Sequence, residues 1–311
     1  MIQVFKTDED YKKWLDGQRL PSGIVVYVSD DETMYFSTNN IKGELKTYKC
    51  EKEEPIQYPP LIYSTNAAGS TITVNGQSMT LGQGDNMVLE YPTAITSVKA
   101  TNNTALTAIT IPDTVASIEN GDYGTGAFYK CTALASVSLP DTMTMIGDYA
   151  FSECDALGSV TLPNTLVSIG NSAFNSCPSL VSITIPEGVT SIGKSAFSSC
   201  HALGSVTLPN TLVSIGNSAF NSCSSLVSIT IPEGVTSIGI QTFSSCSSLV
   251  SITIPEGVTS IGKRAFANCS KLTDFNYNGT MEQWGAITLG TDWNLKAAFT
   301  VVHCTDGDVT L

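Results

Sequence analysis

The sequence predicts a β-rich solenoid of 23-residue units with caps at both ends and a small α+β domain ahead of it. Three observations predict it. Six consecutive segments from Leu134 to Lys271 lie on one another without a gap, sharing the form L-x-x-Φ-x-Φ-P-x-x-Φ-x-x-I-G-x-x-A/T-F-x-x-C-x-x, where Φ is apolar. Seven cysteines, Cys131, Cys154, Cys177, Cys200, Cys223, Cys246 and Cys269, fall 23 apart, and Phe128, Phe151, Phe174, Phe197, Phe220, Phe243 and Phe266 keep the same spacing just before them. Within a unit, Leu157, Val160 and Leu162 alternate with Ser159 and Thr161, the period-two signature of a half-buried strand. A fixed period of about 20 to 50 residues marks an array whose units bury their apolar faces only against their neighbours.

The rest of the unit follows in order. Pro163 closes the strand because it cannot donate to a ladder. In Ile185-Pro186-Glu187-Gly188 the Pro is second and the Gly fourth, as a type I turn prefers. Val189 and Ile192 point back inward, Gly193 permits a tight bend, and Ala196, Phe197 and Cys200 fill the far side. Stacked strands about 4.8 Å apart do not by distance alone forbid disulfides between rungs. A column of small, buried free thiols is the simpler account. With no C-x-x-C pair and only His201 and His303, the pattern argues against zinc, and no metal or cofactor is expected. Cys50 and Cys304 lie outside the column and are the thiols to test for reactivity.

Leu249 to Cys269 reads Leu-Val-Ser-Ile-Thr-Ile-Pro-Glu-Gly-Val-Thr-Ser-Ile-Gly-Lys-Arg-Ala-Phe-Ala-Asn-Cys, and this pattern resembles the BspA-like subgroup of bacterial leucine-rich repeats. The resemblance covers residues 92 to 304. It implies a leucine-rich-repeat solenoid and a cell-surface recognition or adhesion protein of gut or oral bacteria, binding host proteins or other cells without chemistry. Fold alone does not establish that role.

Composition narrows the partners. With 15 basic and 28 acidic residues the net charge is −13, which would repel phosphate backbones and anionic membranes, so nucleic acid and membrane insertion are not expected. No apolar run reaches the length of a membrane span. The first ten residues lack the basic and apolar regions of a secretory signal, which leaves a removed leader or another export route.

Residues 1–50 read as a small attachment domain through which the protein would assemble onto a carrier. Thr7 caps a short helix to Gly17, Ile24–Val28 and Thr33–Phe36 are strands, and Leu45–Cys50 is a third. Ser22 to Phe36 resembles short N-terminal modules on tail or fibre proteins of gut bacteriophages, which gives a second reading: a structural or receptor-binding protein of a phage particle. Residues 51–61 are charged and Pro-rich, the composition of an exposed linker. Residues 62–105 form an N-terminal β-hairpin cap, with strands flanking Asn75-Gly76 and a degenerate first rung in Pro92, Ile95 and Val98.

The array itself spans residues 106–271 as seven units. The first carries five extra residues between Ile118 and Phe128, and such insertions map to protruding loops. The 119–127 loop is either a tolerated insertion or a binding finger using Asp122 and Tyr123; a third functional class would place an enzyme site there. It lacks the Lys-Ser/Thr ending of a phosphate loop. Leu157–Ser179 and Leu203–Ser225 differ only at Pro178 against Ser224, so a 46-residue pair was duplicated. Near-identical copies provide near-identical surfaces, which suits a multivalent contact and argues against an active site of converging, different residues.

On the strand face Ser136/Ser138, Ser159/Thr161, Ser182/Thr184, Ser205/Thr207, Ser228/Thr230 and Ser251/Thr253 make two hydroxyl columns. They are either ordinary small polar residues on a curved strand face or a docking surface for a protein or glycan of a cell surface. The turn column Asp113, Asp141, Asn164, Glu187, Asn210, Glu233 and Glu256 is better explained by turn chemistry than by calcium. Residues 272–311 are a C-terminal cap: Thr280-Met-Glu-Gln283 is a capping box, Trp284 and Trp293 plug the end, and Asp306-Gly307 turns a closing hairpin. No nucleophile motif supports a Ser-His-Asp triad with His303, and the expected function is non-enzymatic recognition.

Overall fold

The computed structural model describes residues 2–5, 25–28, 33–36, 58, 60–89 and 93–311. The helix expected from Thr7, the strand expected at Leu45–Cys50, most of the linker, Cys50 and Pro92 lie outside the described residues. Near the N-terminus, strand Ile2–Phe5 pairs parallel with Val25–Val28, which pairs antiparallel with Thr33–Phe36.

From Leu106 onward the chain winds as a β-solenoid of about seven 23-residue turns, each turn having three sides. The first side is a strand of three to five residues, such as Ser182–Thr184 or Ser205–Thr207, stacked parallel and in register: Ser182 faces Ser205, Ser205 faces Ser228, and Ser228 faces Ser251. The second side is a two-residue strand, Ser168–Ile169 and its equivalents, also parallel. On the second side the later rung donates to the earlier, as in Gly193 N–H to the Ile169 carbonyl at 2.9 Å; on the first side bonds run both ways, with Val181 N–H to the Gly158 carbonyl at 3.1 Å and Ile185 N–H forward to the Thr207 carbonyl at 2.9 Å.

On the third side the rung-to-rung bonds run forward. Ser172, Phe174 and Ser176 donate forward to the carbonyls of Lys194, Ala196 and Ser198, each at 2.8 Å. Ser172 and Ser176 hold φ at 52° and 54°, a left-handed conformation that costs a non-glycine residue about 1–2 kcal/mol. The forward bonds offset that cost and leave the backbone of this side paired.

The core is one column per position. The seven ladder phenylalanines and seven ladder cysteines are fully buried. Consecutive rings from Phe128 to Phe266 stack with centroids 5.1–5.6 Å apart and planes within 12° of parallel. Phe275 ends the stack by meeting Phe266 edge-on at 88°, and Trp284, Trp293 and Phe299 close around it. Thr280 caps the short helix Met281–Gly285 in a capping box with Gln283, and the hairpin Val301–Cys304 and Gly307–Thr310 covers the last rung. At the other end Asn75 and Gly76, with φ of 47° and 77°, turn the hairpin Thr71–Val74 and Gln77–Thr80. Strand Leu61–Thr65 pairs with Gly84–Leu89 and with Leu106–Thr110, which joins the cap to the first rung; the sequence pattern had not signalled these pairings.

Three expectations are corrected. The turn after each strand begins at the proline: Val189 N–H bonds the Pro186 carbonyl at 3.0 Å, so Glu187 and Gly188 are the central residues and the turn lies one residue later than the Pro-second reading. Gly193 has no left-handed φ; it is glycine because a Cβ there would lie 2.4 Å from the Gly170 carbonyl carbon of the preceding rung. Residues 157–162 keep their alternating burial but form no ladder strand, whereas the same sequence at 203–207 does. The first-side sheet is therefore split between Ser138 and Ser182.

Candidate functional site

The first-side strands fix the proposed hydroxyl columns through their pleat. Buried Ile183, Val206 and Ile229 alternate with outward residues on the same strands. Ser159, Thr161, Ser182, Thr184, Ser205, Thr207, Ser228 and Thr230 are all exposed, and they are brought together as two rows along the axis. At the C-terminal edge the rows continue into Asp274 and Asn276, which face Ser251 and Thr253. Exposed Val181, Val227 and Val250 stand beside the serine row, with Val250 N–H bonded to the Val227 carbonyl at 2.9 Å. That aliphatic rim was not singled out from the sequence, although the alternation of Gly158, Val181, Gly204 and Val227 carried it.

The 119–127 loop holds Asp122 and Tyr123 away from those rows, on a different part of the turn. Asp122 N–H donates to Thr125 Oγ1 at 2.7 Å and Thr125 N–H returns to the Asp122 carbonyl at 2.9 Å, a local closure that sets the loop. Tyr123 is 70% exposed and rests edge-on against Tyr129 and Tyr149, at centroid distances of 5.4 and 6.2 Å. Buried Tyr129 donates to Glu153 Oε1 at 2.8 Å, and Lys130 pairs with the same carboxylate at 3.4 Å. Burial, followed by the hydrogen bonds to Tyr123 and Glu153, pushes the Tyr129 phenol well above its ordinary range. Tyr129, Tyr149 and Glu153 were not legible as partners of the loop, since they sit in different repeat positions and meet only through stacking. At the base of the loop a cleft of about 180 Å³ opens between Thr73, Lys99, Ser117 and Thr125.

The thiol column has its own chemistry. Each ladder cysteine donates its S–H to a carbonyl of the preceding rung: Cys177 to Phe151, Cys200 to Phe174 and Cys269 to Phe243 at 3.1 Å, with Cys131 reaching Ala100 at 3.0 Å. Burial pushes the thiols of Cys131, Cys200 and Cys269 up to about 12. Such thiols are poor nucleophiles and poor metal ligands. Cys304 is half-buried, and burial followed by Asp306 and Asp308 raises it too. His303 Nδ1 lies 2.9 Å from Asp308 across the terminal hairpin. Among the described residues no three His, Cys, Asp or Glu side chains gather closely enough to share a metal ion, and no helix is long and apolar enough to cross a membrane.

The turn column is held by rung-to-rung bonds. Glu187 Oε2 accepts from Asn210 N–H at 3.1 Å, and where Thr replaces the turn glycine its hydroxyl reaches back, as Thr165 does to the Met143 carbonyl at 2.8 Å.

Comparison with known proteins agrees with this geometry. The BspA type Leucine rich repeat region matches in six copies over residues 93–202 and 167–288. Among solved structures, a leucine-rich repeat protein from Bacteroides ovatus is 27% identical, with a TM-score of 0.58 over 76% of this chain and 70% of that one. One from Eubacterium ventriosum is 21% identical, with a TM-score of 0.51 over 68% and 64% of the two chains, a likeness of fold. The T. pallidum leucine-rich repeat protein is 31% identical over 58% of this chain and 85% of its own, with a TM-score of 0.48. No curated protein matches. The repeat match spans more than half of the sequence, and the chain belongs to the BspA-type leucine-rich repeat family.

Proposed function

We propose that this is a non-enzymatic recognition and adhesion protein whose first-side strand face docks on a protein of a host or bacterial cell surface. The observation that carries the reading is the in-register pair of exposed, uncharged hydroxyl rows, Ser182/Thr184 to Ser228/Thr230, with the Val181, Val227 and Val250 rim beside them. Such a surface carries no charge to desolvate, the cost of burying its hydroxyls is offset by hydrogen bonds to a partner's polar groups, and repeated equivalent contacts add without any one being strong. Tyr123, exposed on its loop beside Asp122, supplies a rigid aromatic contact at the N-terminal end, the kind of side chain that anchors protein interfaces. Residues 1–50 serve as the attachment domain and residues 51–61 as its tether. The repeat family supports protein binding in general, and a cell-surface position goes with that role.

The test is binding of the purified chain to intact gut-bacterial cells and to an array of matrix proteins, beside the double variant Thr184→Arg/Thr207→Arg. Loss of binding in a variant that keeps its melting temperature supports the strand face. Unchanged binding in that variant, together with loss in Tyr123→Ala, would move recognition to the loop.

A further inference from the structure

One junction in the array is loosened on two of its three sides. It lies between the rungs Leu203–Ser225 and Leu226–Ser248. On the second side the ladder stops there: Ser214–Ile215 ends one sheet and Ser237–Ile238 begins the next. Gly170, Gly193 and Gly216 N–H reach the isoleucine carbonyl one rung back at 2.8–2.9 Å, and Gly262 N–H does so at 2.7 Å. Gly239 makes no such bond, and Thr236 N–H likewise has no partner among the described residues, although Val213 N–H and Thr259 N–H bond the preceding rung at 3.0 and 2.9 Å. What still crosses this side is a side-chain bond, Asn217 Oδ1 accepting from Ile240 N–H at 2.8 Å, as Asn171 does from Lys194 and Asp148 from Asn171. On the first side a single pair, Ser205 with Ser228, stays in register, against three pairs at the junctions before and after. Val227 N–H reaches the Gly204 carbonyl at 3.4 Å, where Gly204 and Val250 make the equivalent bond at 2.9 Å. The third side runs on unbroken, with Ser218, Phe220 and Ser222 N–H reaching the carbonyls of Ile240, Thr242 and Ser244 at 2.8, 3.0 and 2.8 Å.

The rung that follows this junction is also the one that interrupts the alanine column. Thr242 takes the alanine position, is fully buried, and carries a hydroxyl without a hydrogen-bond partner. It sits against Gly239, where a Cβ would stand 3.2 Å from Thr242 Oγ1 and no nearer than 3.3 Å to the backbone of the preceding rung. At Gly193, Gly216 and Gly262 a Cβ would meet that backbone at 2.4, 2.5 and 2.7 Å, so the backbones stand farther apart at Gly239. A close-packed core accommodates added atoms by shifting backbone. We propose that this junction is a hinge, with the third side as its spine and Thr242 as the wedge that holds the other two sides apart. In a stacked array each block is coupled to the next only through the interface between them, so a weakened interface opens while the blocks themselves stay folded. The hinge lies between Thr207 and Thr230, and its opening lets the strand face change curvature against a partner. That consequence rests on the strand-face reading; the hinge does not.

The experiment measures spin-label distances in the full chain carrying Cys50→Ser and Cys304→Ser, so that only introduced thiols label. One pair, Thr190→Cys with Thr259→Cys, spans the junction; the other, Thr144→Cys with Val213→Cys, spans the same number of rungs along a paired ladder. All four positions are exposed and share one column of the second side. The first pair should give a distance distribution about twice as wide as the second, and Thr242→Ala should narrow it to match. Hydrogen exchange supplies a second readout: the Thr236 and Gly239 amides should exchange about tenfold faster than those of Val213 and Gly216, and should slow to the same rate in Thr242→Ala. Melting temperature reports that the variants fold. Equal widths for the two pairs, or a width and exchange pattern that persist in folded Thr242→Ala, would overturn the proposal. Neither measurement includes a partner, so the hinge can fail while the docking reading stands, and the reverse.

Discussion

The thiol of Cys177 lies 3.1 Å from the carbonyl oxygen of Phe151, 26 residues earlier, and the same bond recurs at Cys154, Cys200, Cys223, Cys246 and Cys269. The cysteine column is therefore a polar ladder inside an apolar core. Each S–H fills a small space and gives the carbonyl it meets a hydrogen bond; at Phe151 and Phe174 it is the carbonyl's partner, whereas at Phe197, Phe220 and Phe243 it joins a backbone N–H already bonded there.

Replacing Cys200 by Ala removes both the sulfur's volume and the partner of the Phe174 carbonyl. The expected loss is about 1–3 kcal/mol, read as a lower urea midpoint. In the folded protein a thiol reagent should leave the seven ladder cysteines unmodified and react at Cys304, with all of them labelled in denaturant.

The same column predicts sensitivity to alkali. Folded ladder thiols stay protonated to about 12 at Cys131, Cys200 and Cys269, against a usual value near 9. Below 9 both states hold the proton and stability is intact. Above 9 the unfolded chain ionises first and binds fewer protons, so stability falls as pH rises towards 12, by about 1.4 kcal/mol per pH unit for each thiol. Urea midpoints measured from pH 7 to 11 should show the fall, and Cys200→Ala should fall less steeply. A flat profile would show that the unfolded thiols do not ionise ahead of the folded ones.

Gly193 and Gly204 make a matched pair. A Cβ at Gly193 would meet the Gly170 carbonyl carbon at 2.4 Å, whereas one at Gly204 would meet nothing nearer than 3.7 Å. Gly193→Ala should cost about 3 kcal/mol, because two backbones would have to separate. Gly204→Ala should stay within about 0.5 kcal/mol of the parent. Thermal unfolding of the two variants side by side checks both.

Thr242 occupies an otherwise alanine position, fully buried, with a hydroxyl that has no hydrogen-bond partner. Its neighbours at that position, Ala219 and Ala265, are fully buried without a polar group. Thr242→Ala should stabilise the protein by about 1 kcal/mol, seen as a raised melting temperature; destabilisation would mean that the methyl group's packing outweighs the orphaned hydroxyl.

Much of the architecture was legible before any coordinates. The capping box at Thr280, the Asn75-Gly76 hairpin and the alternating burial of Leu157 to Leu162 follow from local chemistry, which a window of a few residues contains. Tyr123 and the hydroxyl rows were legible as candidates because a loop insertion and a period-two pattern both point outward. Their companions were not. Tyr149 meets Tyr123 from another rung, and the Asp148, Asn171 and Asn217 positions look like ordinary variable positions until the next rung's amide is placed against them.

By itself the sequence determined the repeat, its period and the residue that fills each core column, because a stacked array gives every copy the same environment and so imposes the same choice. Only the tertiary structure decided how the rungs meet. It assigned Gly193 to a close backbone approach rather than a bend, moved the turn to Pro186–Val189, and gave Ser205–Thr207 a paired strand that the same sequence at Ser159–Thr161 does not make. Those outcomes depend on distances of a few ångströms between residues about 23 apart in the chain, and pairing between neighbouring backbones is a property of the stack, not of the unit.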